Sequence, residues 1–148
     1  MRKIVLLAAA AVAAAAAPAQ ANESRAEVRG GIAWAEGAEE AVLGVAVGHD
    51  FDLGETVFFG LEGSADKILV DGADIVWGAT ARLGTKVGDA GKLYGTAGYS
   101  FGDGDAFHAG AGYQHKLGSS AYVKVEYRHF FDDLVDVNTA AVGVGVTF

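Results

Sequence analysis

The sequence predicts an all-β fold, namely an eight-stranded antiparallel up-and-down transmembrane β-barrel. Three observations lead to this prediction: a secretory signal at the start of the chain, eight segments in which side-chain polarity alternates, and charged residues that fall on the opposite face from the large apolar residues. Because successive side chains of a strand point to opposite faces, the alternation assigns every residue to one face. A barrel in a bilayer carries apolar side chains outside and polar side chains inside.

Residues 1–21 have the pattern of a cleaved secretory signal peptide. Arg2 and Lys3 precede an apolar run, and small residues follow at the positions that signal peptidase recognises. The apolar run is shorter than the roughly 20 residues that a membrane-spanning helix needs, so we expect no transmembrane helix. Residues 22–148 are expected to form one outer-membrane β-barrel domain.

Composition excludes several classes of protein. Without Arg2 and Lys3, the 19 acidic residues outnumber the remaining basic ones about twofold, whereas a nucleic-acid partner calls for a clustered basic surface. The absence of cysteine excludes a disulfide framework and a thiolate metal site. The 22 glycines disfavour a helical domain, because each interior glycine costs a helix roughly 1 kcal/mol.

Eight segments alternate in polarity and are bounded by short connections rich in Gly and Asp. They are residues 25–35, 41–51, 56–65, 74–86, 92–101, 106–117, 120–131 and 137–148. A tilted membrane strand needs roughly 9–11 residues, whereas an ordinary globular strand has roughly 5 or 6. An even number of consecutive hairpins can close into a barrel, which leaves no unpaired strand edge in lipid.

The first four strands each place large apolar residues on one face and polar residues on the other. The apolar faces carry Val28, Ile32 and Trp34, then Leu43, Val45, Val47 and Phe51, then Val57, Phe59 and Leu61, then Ile75, Trp77 and Leu83. The opposite faces carry Glu27 and Arg29 in the first strand, Glu62 and Ser64 in the third, and Thr80 and Arg82 in the fourth.

The last four strands repeat this division. Their apolar faces carry Leu93, Tyr99 and Phe101, then Phe107 and Tyr113, then Val123, Val125, Tyr127 and Phe131, then Ala140, Val142, Val144, Val146 and Phe148. Their polar faces carry Thr96 and Ser100, then Gln114 and Lys116, then Lys124, Glu126 and Arg128, then Ala141, Gly143, Gly145 and Thr147. Charged residues thus face inward and apolar residues face outward, as in a barrel surrounded by lipid. A soluble barrel carrier would have the reverse arrangement, so this class is disfavoured.

The inward charges are expected to meet, because an eight-stranded barrel is just wide enough for side chains to fill its interior. The predicted interior charge network consists of Arg29, Glu62, Arg82, Lys124, Glu126 and Arg128. We interpret it as a plug of ion pairs, in which each buried charge has a partner nearby. A gate or a narrow ion path is the alternative. Gly143 and Gly145 are expected to leave room for the long side chains of Arg29 and Arg128.

Aromatic residues fall at two heights if both termini face the periplasm. The predicted outer girdle consists of Trp34, Trp77, Phe101, Phe107 and Phe131, and the inner girdle of Phe51, Tyr113 and Phe148. Two such belts are typical of a membrane barrel, because aromatic side chains favour the interface between lipid and water.

The predicted outer loops are strongly acidic. Glu36, Glu39, Glu40, Asp66, Asp71, Asp74, Asp103, Asp105, Asp132, Asp133 and Asp136 lie in or beside them, opposed only by Lys67. We interpret them as a solvated rim, although carboxylates could also hold Ca²⁺ or Mg²⁺ shared with lipopolysaccharide phosphates.

The four histidines predict no metal site. Parity places His108 and His115 on opposite faces of one strand, while His49 and His129 fall outward near opposite rims. No cofactor is expected either. An enzyme acting on lipid A would need an outward catalytic set near the outer leaflet. His129 is the only candidate base at that height and no serine stands beside it, so we expect no enzyme.

Three stretches carry a resemblance to a known family: Leu-Tyr-Gly-Thr-Ala-Gly-Tyr-Ser-Phe at 93–101, Ala-Gly-Ala-Gly-Tyr at 109–113 and Ala-Tyr-Val-Lys-Val-Glu-Tyr-Arg-His at 121–129. The chain resembles the small opacity-protein-like outer-membrane β-barrels, related in architecture to OmpX and the transmembrane domain of OmpA. The resemblance implies a terminal strand that the barrel-insertion machinery recognises, with Phe148 as part of the signal. The loops are only a few residues long, unlike those of adhesive relatives.

Together these expectations describe a monomeric protein of the bacterial outer membrane that contacts membrane lipids and lipopolysaccharide. It would support envelope integrity and form at most a narrow pore. A surface adhesion or interaction protein is the alternative function.

Overall fold

A computed structural model describes residues 22–102 and 105–148. The predicted signal peptide, residues 1–21, and the predicted rim residue Asp103 lie outside this part of the chain. Within it, no helix is long and apolar enough to cross a membrane.

Eight antiparallel strands form a closed barrel, which confirms the predicted fold class. They are β1 (Glu23–Ala35), β2 (Ala38–Asp52), β3 (Val57–Ile68), β4 (Ile75–Val87), β5 (Gly91–Gly102), β6 (Ala106–Leu117), β7 (Ala121–Phe131) and β8 (Val137–Thr147). Each strand pairs with its neighbour in sequence, and β8 pairs with β1. The β1–β2, β3–β4, β5–β6 and β7–β8 connections lie at one end, here called the loop end. Asn22 and Phe148 lie at the other, the termini end.

The β1–β2 hairpin is longer and tighter than the sequence predicts. Glu36 and Gly37 both have positive φ, 41° and 87°, as in the two-residue turns that match the twist of a hairpin. Glu39 and Glu40, expected in a loop, instead pair in β2 opposite Trp34 and Ala33. Glu39 and Glu40 are compatible with a strand because this end of β2 projects beyond the apolar band of the barrel, where water reaches both side chains.

Burial is inverted relative to a soluble protein. Among the described residues, 19 polar or charged residues are buried but only six apolar ones. The large apolar residues face outward: Val28 is 59% exposed and Leu43 is 55% exposed. A lipid-facing wall around a polar interior is the arrangement of a membrane barrel.

The seam between β8 and β1 closes the barrel up to the last residue. Phe148 donates its backbone N–H to the Ser24 carbonyl at 2.9 Å, and Ser24 donates back to the Phe148 carbonyl at 3.0 Å. The Phe148 side chain is 66% exposed on the outer wall.

Candidate functional site

The candidate site is the charged layer that crosses the middle of the barrel, with Glu62 at its centre. Arg25 Nη1 donates to Glu62 Oε2 at 2.7 Å, and Arg128 Nη2 donates to Glu62 Oε1 at 2.7 Å. Arg29 Nη1 donates to that same Oε1 at 3.1 Å. Since β1, β3 and β7 supply these groups, the layer spans the cross-section of the lumen.

Glu126 is the second acceptor of the layer. Arg128 Nε donates to Glu126 Oε1 at 2.5 Å, and Lys124 Nζ lies 3.2 Å from Oε2. The hydroxyl of Tyr94 donates to the same Oε2 at 2.8 Å. Arg128 therefore bridges Glu62 and Glu126 with two charge-assisted hydrogen bonds, which are the strong kind.

Glu27 is the third acceptor. Its Oε1 lies 2.5 Å from Lys124 Nζ, and its Oε2 accepts a hydrogen bond from Tyr122 at 2.6 Å. Arg25 Nη1 is 3.6 Å away. All these side chains are buried, so each charge relies on its partners rather than on water.

Arg82, predicted to join Glu62, belongs to a different cluster nearer the termini end. Its Nε donates to Asp50 Oδ1 at 2.8 Å and its Nη2 to the other Asp50 oxygen, a paired geometry typical of arginine with carboxylate. The guanidinium carbon also lies 4.7 Å from the ring centroid of Tyr94. Asp50 connects the two clusters through Arg25, 3.8 Å away. Arg82 therefore lies in the interior, as predicted, but the register aligns it with Gly60 and Asp50, whereas Glu62 is opposite Thr80.

Asp66 was predicted to be part of the solvated rim but lies inward. Its two oxygens accept hydrogen bonds from Arg29 Nε at 2.8 Å and Arg29 Nη2 at 2.6 Å. The expectation that only Lys67 opposes the acidic residues is therefore wrong for Asp66. Among the described residues, no group of three or more His, Asp or Glu side chains is arranged to hold a metal.

Five members of the network were not predicted as such. They are Arg25, Glu27, Asp50, Tyr94 and Tyr122. Parity carries the signal for each: Arg25 shares a face with Glu27, and Tyr122 shares one with Lys124. The two tyrosines add hydroxyl donors to a layer otherwise made of charges.

The two inward glycines of β8 lie closest to the side chains of Lys124 and Tyr122. A Cβ on Gly143 would lie 3.0 Å from Lys124 Cγ, and one on Gly145 would lie 2.5 Å from Tyr122 Cζ. The expected neighbours were Arg29 and Arg128. Arg29 is opposite Gly143 in the register, although the Lys124 side chain lies nearest to that glycine, whereas Arg128 is opposite Thr139 and not opposite either glycine.

The predicted girdle residues occupy the outward face near both ends of the strands. At the loop end, Trp77 is opposite Phe101 and Phe107 is opposite Phe131 in the register. The Trp34 ring lies 6.2 Å from Tyr127. At the termini end are the remaining three predicted girdle residues: Phe51 opposite Phe59, Tyr113 opposite Leu93, and Phe148.

The histidines have distinct environments. His108 is inside, where its Nε2 is 2.9 Å from Thr80 Oγ1. His49 lies on the outward side but is buried, with its ring 4.6 Å from Phe51 and its Nδ1 2.8 Å from Ser24 Oγ. His129 Nδ1 is 2.8 Å from Asn138 Oδ1, and its Nε2 is 3.4 Å from Asp136.

Two cavities flank the charged layer. One at the loop end has a volume of about 150 Å³ and mostly apolar walls. The other, about 210 Å³ at the termini end, is lined by Lys86, Lys92, Lys116 and their carboxylate partners. The layer between them therefore separates the two ends of the lumen.

Comparison with known proteins gives a consistent family and fold. The sequence matches the family described as outer membrane protein beta-barrel domain over residues 5–148. No curated protein sequence matches the chain significantly.

Solved structures with a similar fold come from several bacteria. The N-terminal β-barrel domain of Pseudomonas aeruginosa OprF is 16% identical with a TM-score of 0.62, covering 84% of this chain and 97% of that one. Ail, the attachment invasion locus protein of Yersinia pestis, is 19% identical with a TM-score of 0.63, covering 86% and 98%. Neisserial surface protein A is 13% identical with a TM-score of 0.60, covering 89% and 100%. At these identities the likeness concerns the fold alone.

Proposed function

The chain belongs to the family of outer membrane protein β-barrel domains, and on that premise we propose that it is a structural component of the bacterial outer membrane with a plugged lumen. It supports envelope integrity and conducts at most through a narrow path. The protein inserts as a monomer and contacts membrane lipids and lipopolysaccharide through its apolar wall.

The buried ion-paired layer is the observation that carries this proposal. Arg25, Glu62 and Arg128 connect three strands across the lumen, and each is no more than 8% exposed. An ion crossing the layer has to separate charge-assisted hydrogen bonds, and removing one partner leaves an uncompensated buried charge. Such a layer stabilises a closed barrel better than it serves an open pore.

The outward aromatic residues support a membrane position. Trp34 and Trp77 lie toward the loop end of the wall, and both belong to the predicted outer girdle. Fluorescence quenching tests this position in vesicles whose lipids carry bromine at one chosen depth. Bromine near the head groups should quench the fluorescence of Trp34 and Trp77 more than bromine near the chain ends. Stronger quenching from the bilayer centre would place them elsewhere.

Phe148 supports a role for the terminal strand in assembly. Its exposed side chain at the seam remains accessible beside the last strand pair. We propose that the barrel-insertion machinery recognises it during biogenesis.

The acidic residues of the loop end form a solvated, highly charged rim in this proposal. Glu36, Asp71, Asp105 and Asp133 are all exposed. Calorimetry at millimolar Ca²⁺ tests the alternative of a cation-binding rim, which a measurable heat of binding would favour.

Surface adhesion is the second candidate function. Ail, described as an attachment invasion locus protein, has a similar fold. The connections at the loop end are short, however, such as the two-residue turn at Glu36 and Gly37. Cell-binding assays with cells that display the intact protein or a form with shortened loops test this alternative. Weaker binding after the loops are shortened would favour adhesion, and equal binding would favour a structural role.

We propose no catalytic role. His129 is the outward histidine near the loop end, and in the described part of the chain its two polar partners, Asn138 and Asp136, carry no hydroxyl. Mass spectra of lipid A from cells with and without the protein should be identical.

The structural role is tested in cells that lack the protein. Such cells should show increased entry of large antibiotics and of detergent, and the wild-type protein should restore the barrier. The protein should also be found in the outer-membrane fraction and migrate differently in gels before and after heating. An unchanged barrier would contradict the role in envelope integrity.

A further inference from the structure

The cavity at the loop end, here called the outer cup, differs from the rest of the lumen. It has a volume of about 150 Å³ and lies between the charged layer and the ends of the strands. Its walls carry inward apolar side chains from several strands, whereas most of the other buried side chains of the lumen are polar or charged. The apolar side chains of the walls include Ala33, Val42, Ile68, Val76, Phe130 and Val137.

The size of the outer cup suits one small organic molecule. An engineered cavity of about 150 Å³ in another protein holds benzene. Ala33 and Ala106 line the outer cup, and larger apolar residues at these positions would fill it. A plugged barrel has no need of such a space, because Glu62 and its partners already cross the lumen below it.

The charges around the outer cup determine what kind of molecule fits. On its floor, Arg29 is paired with Asp66 and Arg128 with Glu126, so these four charges offset one another. The Asp66 side chain nevertheless remains 23% exposed.

The mouth of the outer cup is acidic. Asp132 lies there, and among the described residues one of its carboxylate oxygens accepts a hydrogen bond, from the Leu134 N–H at 2.9 Å. The surrounding connections add Glu36, Asp71 and Asp133, all exposed. This field attracts cations and repels anions, and the Phe130 ring in the wall can contact a cation through its face.

We propose that the outer cup binds a small organic cation with an apolar body, such as an ammonium group attached to one aromatic ring. The ring occupies the apolar walls and the ammonium group faces Asp132 and the acidic mouth. The ligand enters from the loop end and does not cross the charged layer. This site is independent of the structural role proposed above.

Three probes of the same size test the proposal: benzylammonium, benzyl alcohol and benzoate. Binding is measured by saturation-transfer NMR on the full barrel in lipid nanodiscs, with empty nanodiscs to subtract partition into lipid. Benzylammonium should bind saturably, benzyl alcohol more weakly, and benzoate not at all. Asp132→Asn should weaken benzylammonium about fivefold, the value of one partly exposed charge pair, and leave benzyl alcohol unchanged.

Variants that fill the cavity provide a second test of the proposal. Ala33→Leu and Ala106→Leu, on different strands, should each abolish saturable binding, while Ala97→Leu on the exposed outer wall should not. Heat-modifiable migration in gels verifies that each variant folds. If only one of the two filled variants folds, that variant alone is sufficient for the test. Binding that survives in a folded filled variant, or benzoate binding as tight as that of benzylammonium, would overturn the proposal.

Discussion

Replacing Glu62 by glutamine should be the most damaging single charge change in the lumen. The substitution keeps the shape of the side chain but removes the negative charge that Arg25, Arg29 and Arg128 share within 3.1 Å. Arg25 is affected most. Within residues 22–102 and 105–148, its Nε and Nη2 have no hydrogen-bond partner, so its bond to Glu62 is the main compensation for its burial.

The expected loss follows from this geometry. Removing one partner of a buried ion pair destabilises a protein by about 3–5 kcal/mol, because the other charge is left unpaired. A unit pair at about 4 Å in an effective dielectric constant of about 20 gives roughly 4 kcal/mol, which is the same order. We therefore expect Glu62→Gln to lower the free energy of unfolding by about 3–5 kcal/mol.

Urea unfolding in lipid vesicles, followed by the fluorescence of Trp34 and Trp77, measures this loss. Glu55→Gln is the matched control, because Glu55 is exposed in the β2–β3 connection and its substitution should change stability by less than about 0.5 kcal/mol. The double variant Glu62→Gln, Arg128→Gln should lose less than the sum of the two single losses. If Glu62→Gln were as stable as the control, the layer would not hold the barrel together.

Three further predictions concern other parts of the barrel. Arg82→Lys should destabilise it by about 1.5–3 kcal/mol in the same urea assay, because lysine cannot bind both oxygens of its partner carboxylate. Gly145→Ala should cost about 1–3 kcal/mol, because its Cβ would lie 2.5 Å from both the Ala26 carbonyl oxygen and the Tyr122 ring, whereas Gly95→Ala, with 3.7 Å to its nearest atom, should be neutral. Phe148→Ser should slow insertion by purified barrel-insertion machinery into proteoliposomes, while unassisted refolding into detergent stays unchanged.

The faces of the strands could be predicted from the sequence because the pairing registers run without interruption. From Glu62 to Ser64 or from Lys124 to Arg128, every second side chain points inward, as alternation requires. A single bulge would have inverted the assignment beyond it.

Partners within the lumen could not be predicted from alternation. Whether Arg82 reaches Asp50 or Glu62 depends on the stagger between strands, which sets the height of each side chain. The register of β7 with β8 likewise places Lys124 opposite Gly143 and Tyr122 opposite Gly145, whereas Arg128 is opposite Thr139.

The strand ends and the outer cup could not be predicted from the sequence pattern either. Glu39 and Glu40 have the polarity of a loop but continue β2. Small apolar residues such as Ala33 and Val42 indicate a face without indicating that together they enclose a space.

The central claim is that paired charges close the lumen, and single-channel recording in planar bilayers tests it most directly. The wild-type barrel should give no stable current steps at either polarity. Glu62→Ala, which removes the central acceptor, should open frequently, while the exposed Glu55→Ala should behave like the wild type. A large, stable conductance in the wild type, or identical traces for the wild type and Glu62→Ala, would contradict the claim.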